Sequence, residues 1–224
     1  MSDADDALMA SIRRDNEPFI GTDEQGSAAW LFARVGHVSA SRFKDAIGKG
    51  AKGQYLAARE TYLWELVIER VTGMPSDHWT SAATEWGQKN ETPSKMAYEA
   101  ATGAMLEPVG FVKHPTIKWV GASPDALIGD DGGFESKSPF NSRYHLETLL
   151  AKQMPEEHIA QVQGGMWVCS RKYWDFQSFD PRLPEPLNRF CVRVPRDDAY
   201  IAELETEIIK FAAEVEARVK ELLP

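Results

Sequence analysis

The stretch Ser123-Pro124-Asp125, followed by Glu135-Ser136-Lys137, decides how this 224-residue chain is interpreted. Between its two parts, Asp130-Asp131-Gly132-Gly133 is a strong turn signal with short β-favouring segments on either side. The pattern predicts a hairpin, in which opposed or diagonal cross-strand neighbours lie roughly 4.5–8 Å apart. Side chains alternate along a strand, so Glu135 and Lys137 project from one face. Two carboxylates and a lysine are therefore expected to converge.

These residue types suit metal-dependent cleavage of a phosphodiester. Carboxylates such as Asp125 and Glu135 select Mg²⁺ or Mn²⁺, and the backbone carbonyl of Ser136 offers a further ligand. A bound metal polarises phosphate and activates water. Lys137 can orient or deprotonate that water, and a crowded cationic site would lower its pKa toward neutrality. The alternative interpretation of the same spacing is a set of exposed hairpin charges.

Composition indicates an ordinary globular protein, with 43% hydrophobic and 26% charged residues. No apolar run reaches the roughly 20 residues that span a bilayer, and the acidic N-terminus does not resemble a signal peptide, so we expect a cytoplasmic protein without membrane contact. Cys169 and Cys191 form no CxxC pair and are expected to be reduced. Two cysteines cannot hold an iron–sulfur cluster, and the histidine spacing does not favour zinc.

The net charge of −9 is unevenly distributed along the chain. Between residues 34 and 59 there are six basic residues and one acidic residue, whereas residues 197–224 carry eight acidic and three basic ones. A local basic surface can bind phosphate on an acidic protein. The alternative is a pair of solvated helix faces.

The remaining pattern predicts an α/β (α+β) domain with a small central mixed sheet flanked by helices. We expect residues 1–17 to be a loosely ordered acidic segment and residues 18–224 to form one domain. Helices are predicted at 22–32, from 39 or 41 to 48, and at 54–72, 81–102 (interrupted or kinked near Pro93), 142–151, 155–168 and 197–223. Strands are predicted at 105–113, 117–120, 126–128, 133–138, 173–179 and 189–194. The apolar stripe of the last helix is expected to pack on the chain's own core.

Seven stretches in one order give the chain a resemblance to the phage lambda exonuclease (YqaJ-type viral recombinase) family of the PD-(D/E)xK nuclease superfamily. They are Ala29-Trp30 with Arg34-Val35-Gly36, Val38-Ser39-Ala40-Ser41, Glu85-Trp86-Gly87 with Glu91, Gly121–Asp125, Gly133–Pro139, Ser142-Arg143, and Ala160–Gln163 with Met166-Trp167-Val168. The resemblance covers about residues 22–200. It implies a restriction-endonuclease-like core. Ser136 stands where the family commonly has an apolar residue.

The resemblance also implies roles for individual residues. It assigns metal binding to Asp125, Glu135 and the Ser136 carbonyl, and catalysis to Lys137. Glu91 would support a second metal or its waters, and Gln161 would hold the nucleophile. A pocket for a 5′-phosphate would comprise Arg34, Ser41, Ser123 and Arg143. Taken singly, these residues have simpler interpretations: a surface salt bridge for Arg34, an N-cap for Ser41, a solvated charge for Glu91 and a helix-face residue for Gln161.

The resemblance implies a Mg²⁺-dependent 5′→3′ exonuclease that digests one strand of linear double-stranded DNA and leaves 3′ overhangs for recombination. It further implies a homotrimeric ring, a single-strand annealing protein as partner, and a phage or prophage origin in a bacterial host. Two alternatives stay open. A structure-specific or restriction-type endonuclease would cut closed circles, and a catalytically silent DNA-end-binding subunit would tolerate loss of Asp125 or Lys137.

Overall fold

A computed structural model describes residues 19–76 and 81–223 of the chain. The helices are α1 (Ala28–Arg34), α2 (Phe43–Ile47), α3 (Ala57–Thr72), α4 (Ala82–Thr102), α5 (Ser142–Ala151), α6 (Ile159–Val168) and α7 (Asp198–Leu222), with 3₁₀ turns at Ala40–Arg42 and Glu156–His158. The strands are β1 (Phe19–Ile20), β2 (Val38–Ser39), β3 (Val112–Lys113), β4 (Val120–Ala122), β5 (Ala126–Ile128), β6 (Gly132–Lys137), β7 (Tyr173–Phe179) and β8 (Arg189–Pro195). The segment 1–17, predicted to be loosely ordered, lies outside the described residues, and the single domain of 18–224 stays a prediction.

The strands form two four-stranded mixed sheets rather than one central sheet. The first has the order β1-β3-β4-β2, with β2 parallel to β4. The second has the order β5-β6-β7-β8, in which β6 runs parallel to β7 and antiparallel to β5. Helices flank both sheets, which confirms the predicted mixed α/β class. The strands are shared between two sheets, whereas one central sheet was predicted.

Local signals account for most helix ends. α3 and α4 end where Gly73 and Gly103 adopt the left-handed conformation, with φ of 67° and 71°. Asp197 caps α7 by accepting from the Tyr200 N–H. α4 is helical on both sides of Pro93 and through it, so the predicted interruption is wrong.

The predicted start of the first helix is also wrong. α1 begins at Ala28, and Ser27 caps it by accepting from the Trp30 N–H. Gly26 has a φ of 86°, which a helix cannot continue through. The Gln25 side chain, expected in a capping box, donates instead to the Pro124 carbonyl.

The strand predicted at 105–113 is shorter than expected, because only Val112–Lys113 belongs to a sheet and Glu107 makes a single bridge to Leu127. By contrast, α5 and β7 match their predicted bounds. The main core lies between the first sheet and α2, α3, α6 and α7. The stripe on α7 packs into it as predicted, with Ile208, Phe211 and Val215 fully buried.

The second sheet packs on α6 through Trp174, which is almost completely buried. The ring lies against Gly133 of β6 and Gly165 of α6, and a Cβ at either position would overlap it. Gly165 thus allows α6 to pack closely on the sheet, whereas the adjacent Gly164 admits the ring of Phe43 from α2. This packing holds α6 beside the end of β6.

Part of the uneven charge seen in the sequence is neutralised by ion pairs within the fold. Ion pairs join the basic segment and α3 to α7: Lys49–Glu207 at 3.1 Å, Arg59–Glu214 at 2.8 Å and Arg70–Glu216 at 3.3 Å. Arg42 pairs with Asp45 and Glu65. The open basic surface and the solvated helix faces considered above are therefore both inaccurate for these residues. None of the helices within 19–76 and 81–223 has the length and apolar character of a bilayer-spanning segment.

Candidate active site

The β5–β6 hairpin brings the predicted carboxylates and lysine together. Ala126 pairs with Phe134, which puts Asp125 opposite the Glu135–Ser136 step. The Ser136 N–H donates to Asp125 Oδ2 at 2.6 Å. Lys137 Nζ lies 2.6 Å from Glu135 Oε1, as the shared face of the strand predicts. The sequence alone therefore predicted this convergence correctly.

Gln161 joins the same group from α6. Its Nε2 donates to Glu135 Oε1 at 2.6 Å, so that oxygen accepts from both the glutamine and Lys137. The Glu135 side chain is only 4% exposed, and a buried carboxyl group needs hydrogen-bond partners to offset its loss of water. Gln161 is therefore a hydrogen-bond partner of Glu135 and not merely a residue on the face of the helix.

Helix α4 forms the opposite wall. Glu91 faces the cleft and pairs with Lys95 one turn later at 2.6 Å. Behind it, Ser94 Oγ lies 2.5 Å from Ser136 Oγ, and Gln177 Nε2 donates to Ser94 Oγ at 2.7 Å. Either hydroxyl can donate in the bond between Ser94 and Ser136, because the Ser94 oxygen can accept a second hydrogen bond. This chain of bonds fixes Ser136, which lies between Glu135 and Lys137 in the strand.

A cleft of about 610 Å³ borders this group of residues. Its lining includes Asp125, Ser136 and Lys137 from the hairpin, Glu91 of α4, and Tyr144 and Glu147 of α5. A smaller pocket of about 160 Å³ adjoins it and is lined by Ser41, Lys44, Lys137, Glu157, His158 and Gln161. Lys137, Glu157 and His158 belong to both, so the two spaces meet at the lysine.

Like charges are crowded at this point. Burial, and then the negative charge of Glu135, raise the pKa of Asp125 well above its ordinary value, although Lys137 and the Ser136 N–H oppose the shift. Burial would lower the pKa of Lys137, but the carboxylates of Glu135 and Asp125 outweigh it and the pKa is raised. The pKa lowered toward neutrality that the sequence suggested is therefore wrong for the protein alone, because the neighbours of Lys137 are anions.

His158 is a neutral group beside these charges. Its ring stacks on Phe176 with 5.3 Å between centroids. Burial, followed by the positive charges of Lys137 and Lys44, lowers its pKa to about 3. The imidazole is thus uncharged at neutral pH and able to accept or donate one hydrogen bond in either pocket.

The donor set suits a magnesium-type cation. Within the described part of the chain, no three His, Cys, Asp or Glu side chains are grouped as a complete metal cage. Mg²⁺ does not need one, because it commonly binds one or two carboxylates and keeps several waters. Asp125 and Glu135 supply the carboxylates, and their mutual repulsion is the imbalance that a cation relieves. The residues present therefore fit such a metal.

The four residues predicted to bind a 5′-phosphate do not all lie in one pocket. Ser41 reaches the pocket that holds Lys137 and Gln161. Arg34 lines a separate small pocket that also includes Ser39, whose hydroxyl lies 3.2 Å from that of Ser41. Ser123 has a buried hydroxyl with no hydrogen-bond partner among the described residues. Arg143 is mostly exposed and pairs with Glu147 at 2.7 Å.

With this geometry established, comparison with known proteins decides the family. The YqaJ-like viral recombinase domain matches residues 29–172. The chain belongs to this family. An alkaline exonuclease, LHK-Exo from Laribacter hongkongensis, is 40% identical, with a TM-score of 0.81 over 88% of this chain and 96% of that protein. A second structure of LHK-Exo contains dAMP.

Two further relatives are more distant. A phage-related exonuclease from Haemophilus somnus 129PT is 13% identical, with a TM-score of 0.67 over 84% of this chain and 96% of its own, and shows the fold alone. ExoD, an uncharacterised protein of Escherichia coli K12, is 28% identical over 65 residues, or 29% of this chain and 74% of that protein. The predicted PD-(D/E)xK fold and the resemblance to the lambda exonuclease and YqaJ family are confirmed, and the protein is a nuclease of a DNA exonuclease family.

Several residues of this YqaJ-like site were not predicted from the sequence. Ser94 lies three residues after Glu91, a spacing that puts both on one helix face. His158 lies three residues before Gln161 and carries the same kind of signal. Gln177 had none, because its place opposite Ser136 depends on the parallel pairing of β6 with β7. Tyr144 has no periodic signal that points to the cleft.

Proposed function

We propose that the protein is a Mg²⁺-dependent 5′→3′ exonuclease that digests one strand of linear double-stranded DNA. The observation that carries the proposal is the meeting of Asp125, Glu135 and Lys137 beside a cleft, where burial and the neighbouring Glu135 raise the pKa of Asp125. A strongly perturbed carboxylate in a cleft is typical of catalytic sites. The similarity to an alkaline exonuclease supports the same conclusion.

Each side chain has a distinct role in this proposal. Asp125, Glu135 and the Ser136 carbonyl would hold Mg²⁺, which polarises phosphate and activates water; Mn²⁺ would substitute. Lys137, kept charged by its neighbours, orients the attacking water and balances charge on the phosphate. Gln161 holds the Glu135 carboxylate in place. Glu91 would support a second ion or its waters from the opposite wall.

The proposed direction of digestion rests on a 5′-phosphate contact. Ser41 is beside Lys137 and Gln161, and it adjoins Ser39 in the pocket of Arg34. An arginine and hydroxyls are suited to a terminal phosphate dianion. Ser123 and Arg143 would complete the contact, the latter by exchanging Glu147 for phosphate. We expect Arg34→Ala and Ser41→Ala to reduce the preference for 5′-phosphate over 5′-hydroxyl ends, while digestion of the hydroxyl end changes little.

We further propose a homotrimeric ring and a single-strand annealing partner, acting in recombination of phage or prophage DNA in the bacterial cytoplasm. An exposed apolar stripe on α3, formed by Trp64, Ile68 and Val71, would suit a subunit contact. A closed ring would explain how a protein of net charge −9 stays on DNA. Size-exclusion chromatography with light scattering tests the trimer.

The decisive experiment compares linear duplexes bearing 5′-phosphate or 5′-hydroxyl ends with closed circular DNA, with Mg²⁺ or a chelator. Separate fluorophores on the 5′ and 3′ termini report direction. We expect release from 5′-phosphate ends with Mg²⁺ only, and intact circles. Lys137→Ala should be inactive, whereas Lys172→Ala, which removes an exposed lysine paired with Asp131, should match the wild type. Cut circles would favour an endonuclease, and no cleavage under any condition a silent end-binding subunit.

A further inference from the structure

Two exposed aromatic side chains stand beside the catalytic lysine, and the chemistry described above does not use them. Tyr144 is 60% exposed and lines the large cleft from α5, and Phe140 is 53% exposed and directly follows Pro139, which lines the same cleft. We refer to Phe140 and Tyr144 together as the aromatic rim. Exposing large rings costs stability, so their placement in and next to a cleft indicates binding.

The aromatic rim is held in place by an unusually complete set of contacts. Arg182 donates to the Phe140 carbonyl at 2.9 Å and the Pro139 carbonyl at 3.1 Å, and its guanidinium pairs with Asp180 at 2.8 Å. The same guanidinium lies 4.2 Å from the ring centre of Trp86. The Phe140 ring meets that indole edge-on, with 6.4 Å between centroids. A fixed ring loses little conformational entropy when a ligand binds.

The backbone of Tyr144 is held in place by the start of α5. Asn141 caps α5 by accepting from the Arg143 N–H, and the Tyr144 carbonyl accepts from the Thr148 hydroxyl at 2.8 Å. The first turn of the helix, which carries the tyrosine, therefore starts at a defined point after Phe140. Both rings belong to one short segment that begins at the catalytic strand.

The charged side chains that line the cleft explain why aromatic contacts would be needed to bind DNA there. Among the described residues that line the cleft, Lys137 is the only lysine or arginine. The same lining contains the carboxylates of Glu91, Asp125, Glu147 and Glu157. Without bound metal, a DNA strand entering this space meets more negative than positive charge, so the side chains of the cleft attract its phosphates only weakly. Contacts to the bases can supply further affinity.

We propose that the aromatic rim stacks on bases of an unpaired DNA strand and holds that strand in the catalytic cleft. The inference rests on the proposed nuclease function and adds the form of DNA that the site takes. Stacking on aromatic side chains accepts every base, because each has a π-face, which suits digestion without sequence preference. Paired bases are stacked on one another and cannot offer this face, so the cleft favours a separated strand.

The test measures DNA binding without cleavage. Single-stranded oligonucleotides carrying 2-aminopurine, whose fluorescence is quenched by stacking, are titrated with protein in the presence of a chelator. The variants are Phe140→Ala, Tyr144→Ala and Tyr144→Phe. Leu150→Ala is the matched control, since Leu150 is a large apolar side chain that is 78% exposed near the other end of the helix that carries Tyr144. Thermal unfolding checks that each variant is folded.

We expect the wild type to quench the probe, and each alanine variant to bind roughly 5-fold or more weakly with less quenching. Tyr144→Phe and Leu150→Ala should behave as the wild type. Equal quenching and affinity in the alanine variants, or no quenching by the wild type, would overturn the proposal. If the wild type nevertheless digests linear duplex with Mg²⁺, the nuclease function stands and only the rim is rejected. Absence of digestion as well would reject both.

Discussion

The contacts that α7 makes with α3 and the segment before it, and the proposed catalytic cleft, both bring charged groups together but treat them in opposite ways. At α7, burial disfavours the charged form of Glu207, yet bonds from Tyr55, Lys49 and Lys210 outweigh this and lower its pKa to about 2. In the cleft, burial and Glu135 raise the pKa of Asp125. The first arrangement stabilises the fold by itself, whereas the second is balanced only when a cation or a substrate contributes.

The largest effect is expected from Asp125→Asn. Loss of a metal ligand removes several kcal/mol of transition-state stabilisation, or roughly 1,000-fold in rate. The variant should be as stable as the wild type or more so, because a repelling charge has been removed. Nucleotide release and thermal unfolding measure the two quantities. Asp131→Asn, in the exposed turn, is the matched control. An unfolded variant would contradict the repulsion described between Asp125 and Glu135. A variant that keeps its activity would contradict the proposed role of Asp125 in metal binding.

The next effect lies in the helix contact, where Arg59→Met should have the reverse signature. Arg59 is buried, binds both oxygens of Glu214 at 2.8 Å and donates to the Ala46 carbonyl at 3.0 Å. Its loss should lower the free energy of unfolding by about 2–3 kcal/mol, with activity per folded molecule retained. Urea denaturation provides the measurement, and Arg218→Met, at an exposed pair with Glu221, should change little. Unchanged stability would contradict the paired-charge interpretation.

A smaller change is expected from Ser94→Ala, behind the cleft. The substitution breaks the link from Gln177 to Ser136 and leaves the bond from Gln177 to the Ser94 carbonyl. Residues that orient metal ligands commonly affect metal affinity by about 10-fold or more. The Mg²⁺ concentration for half-maximal activity should rise accordingly, and Mn²⁺ binding measured by electron paramagnetic resonance should weaken in parallel. Lower activity at saturating metal with unaltered Mn²⁺ binding would assign Ser94 to packing alone.

The smallest effect concerns pH and Glu207→Gln. A carboxylate whose folded pKa is lowered stabilises the protein above its unfolded pKa, near 4.5, and this contribution disappears as pH falls toward about 2. The difference in unfolding free energy between wild type and variant should therefore be constant from pH 6 to 8 and shrink from about pH 5 to 2. Chemical denaturation across this range measures it. A difference that is independent of pH would mean that the glutamate acts through packing.

Much of this protein follows from local sequence. The turn between Ile128 and Gly132 and the alternation along β6 suffice to bring Asp125, Glu135 and Lys137 together, because a hairpin depends on neighbouring residues only. Glycine stops and polar caps located the ends of α3 and α7 for the same reason. At the start of α1 the prediction failed, because the positive φ of Gly26 prevents a helix from running through it. The helix therefore begins at Ala28 and not at residue 22.

Tertiary structure alone decided the rest, since it depends on pairings between distant segments. The parallel alignment of β6 with β7 puts Gln177 opposite Ser136, and the packing of α6 on Trp174 carries Gln161 to Glu135. The docking of α7 on α3 turned an apparent basic surface into ion pairs. Residue types and spacing thus determined which chemistry the chain can perform. Long-range packing decided which charges are neutralised and which are left crowded for a substrate, because charge balance depends on distances that sequence order does not contain.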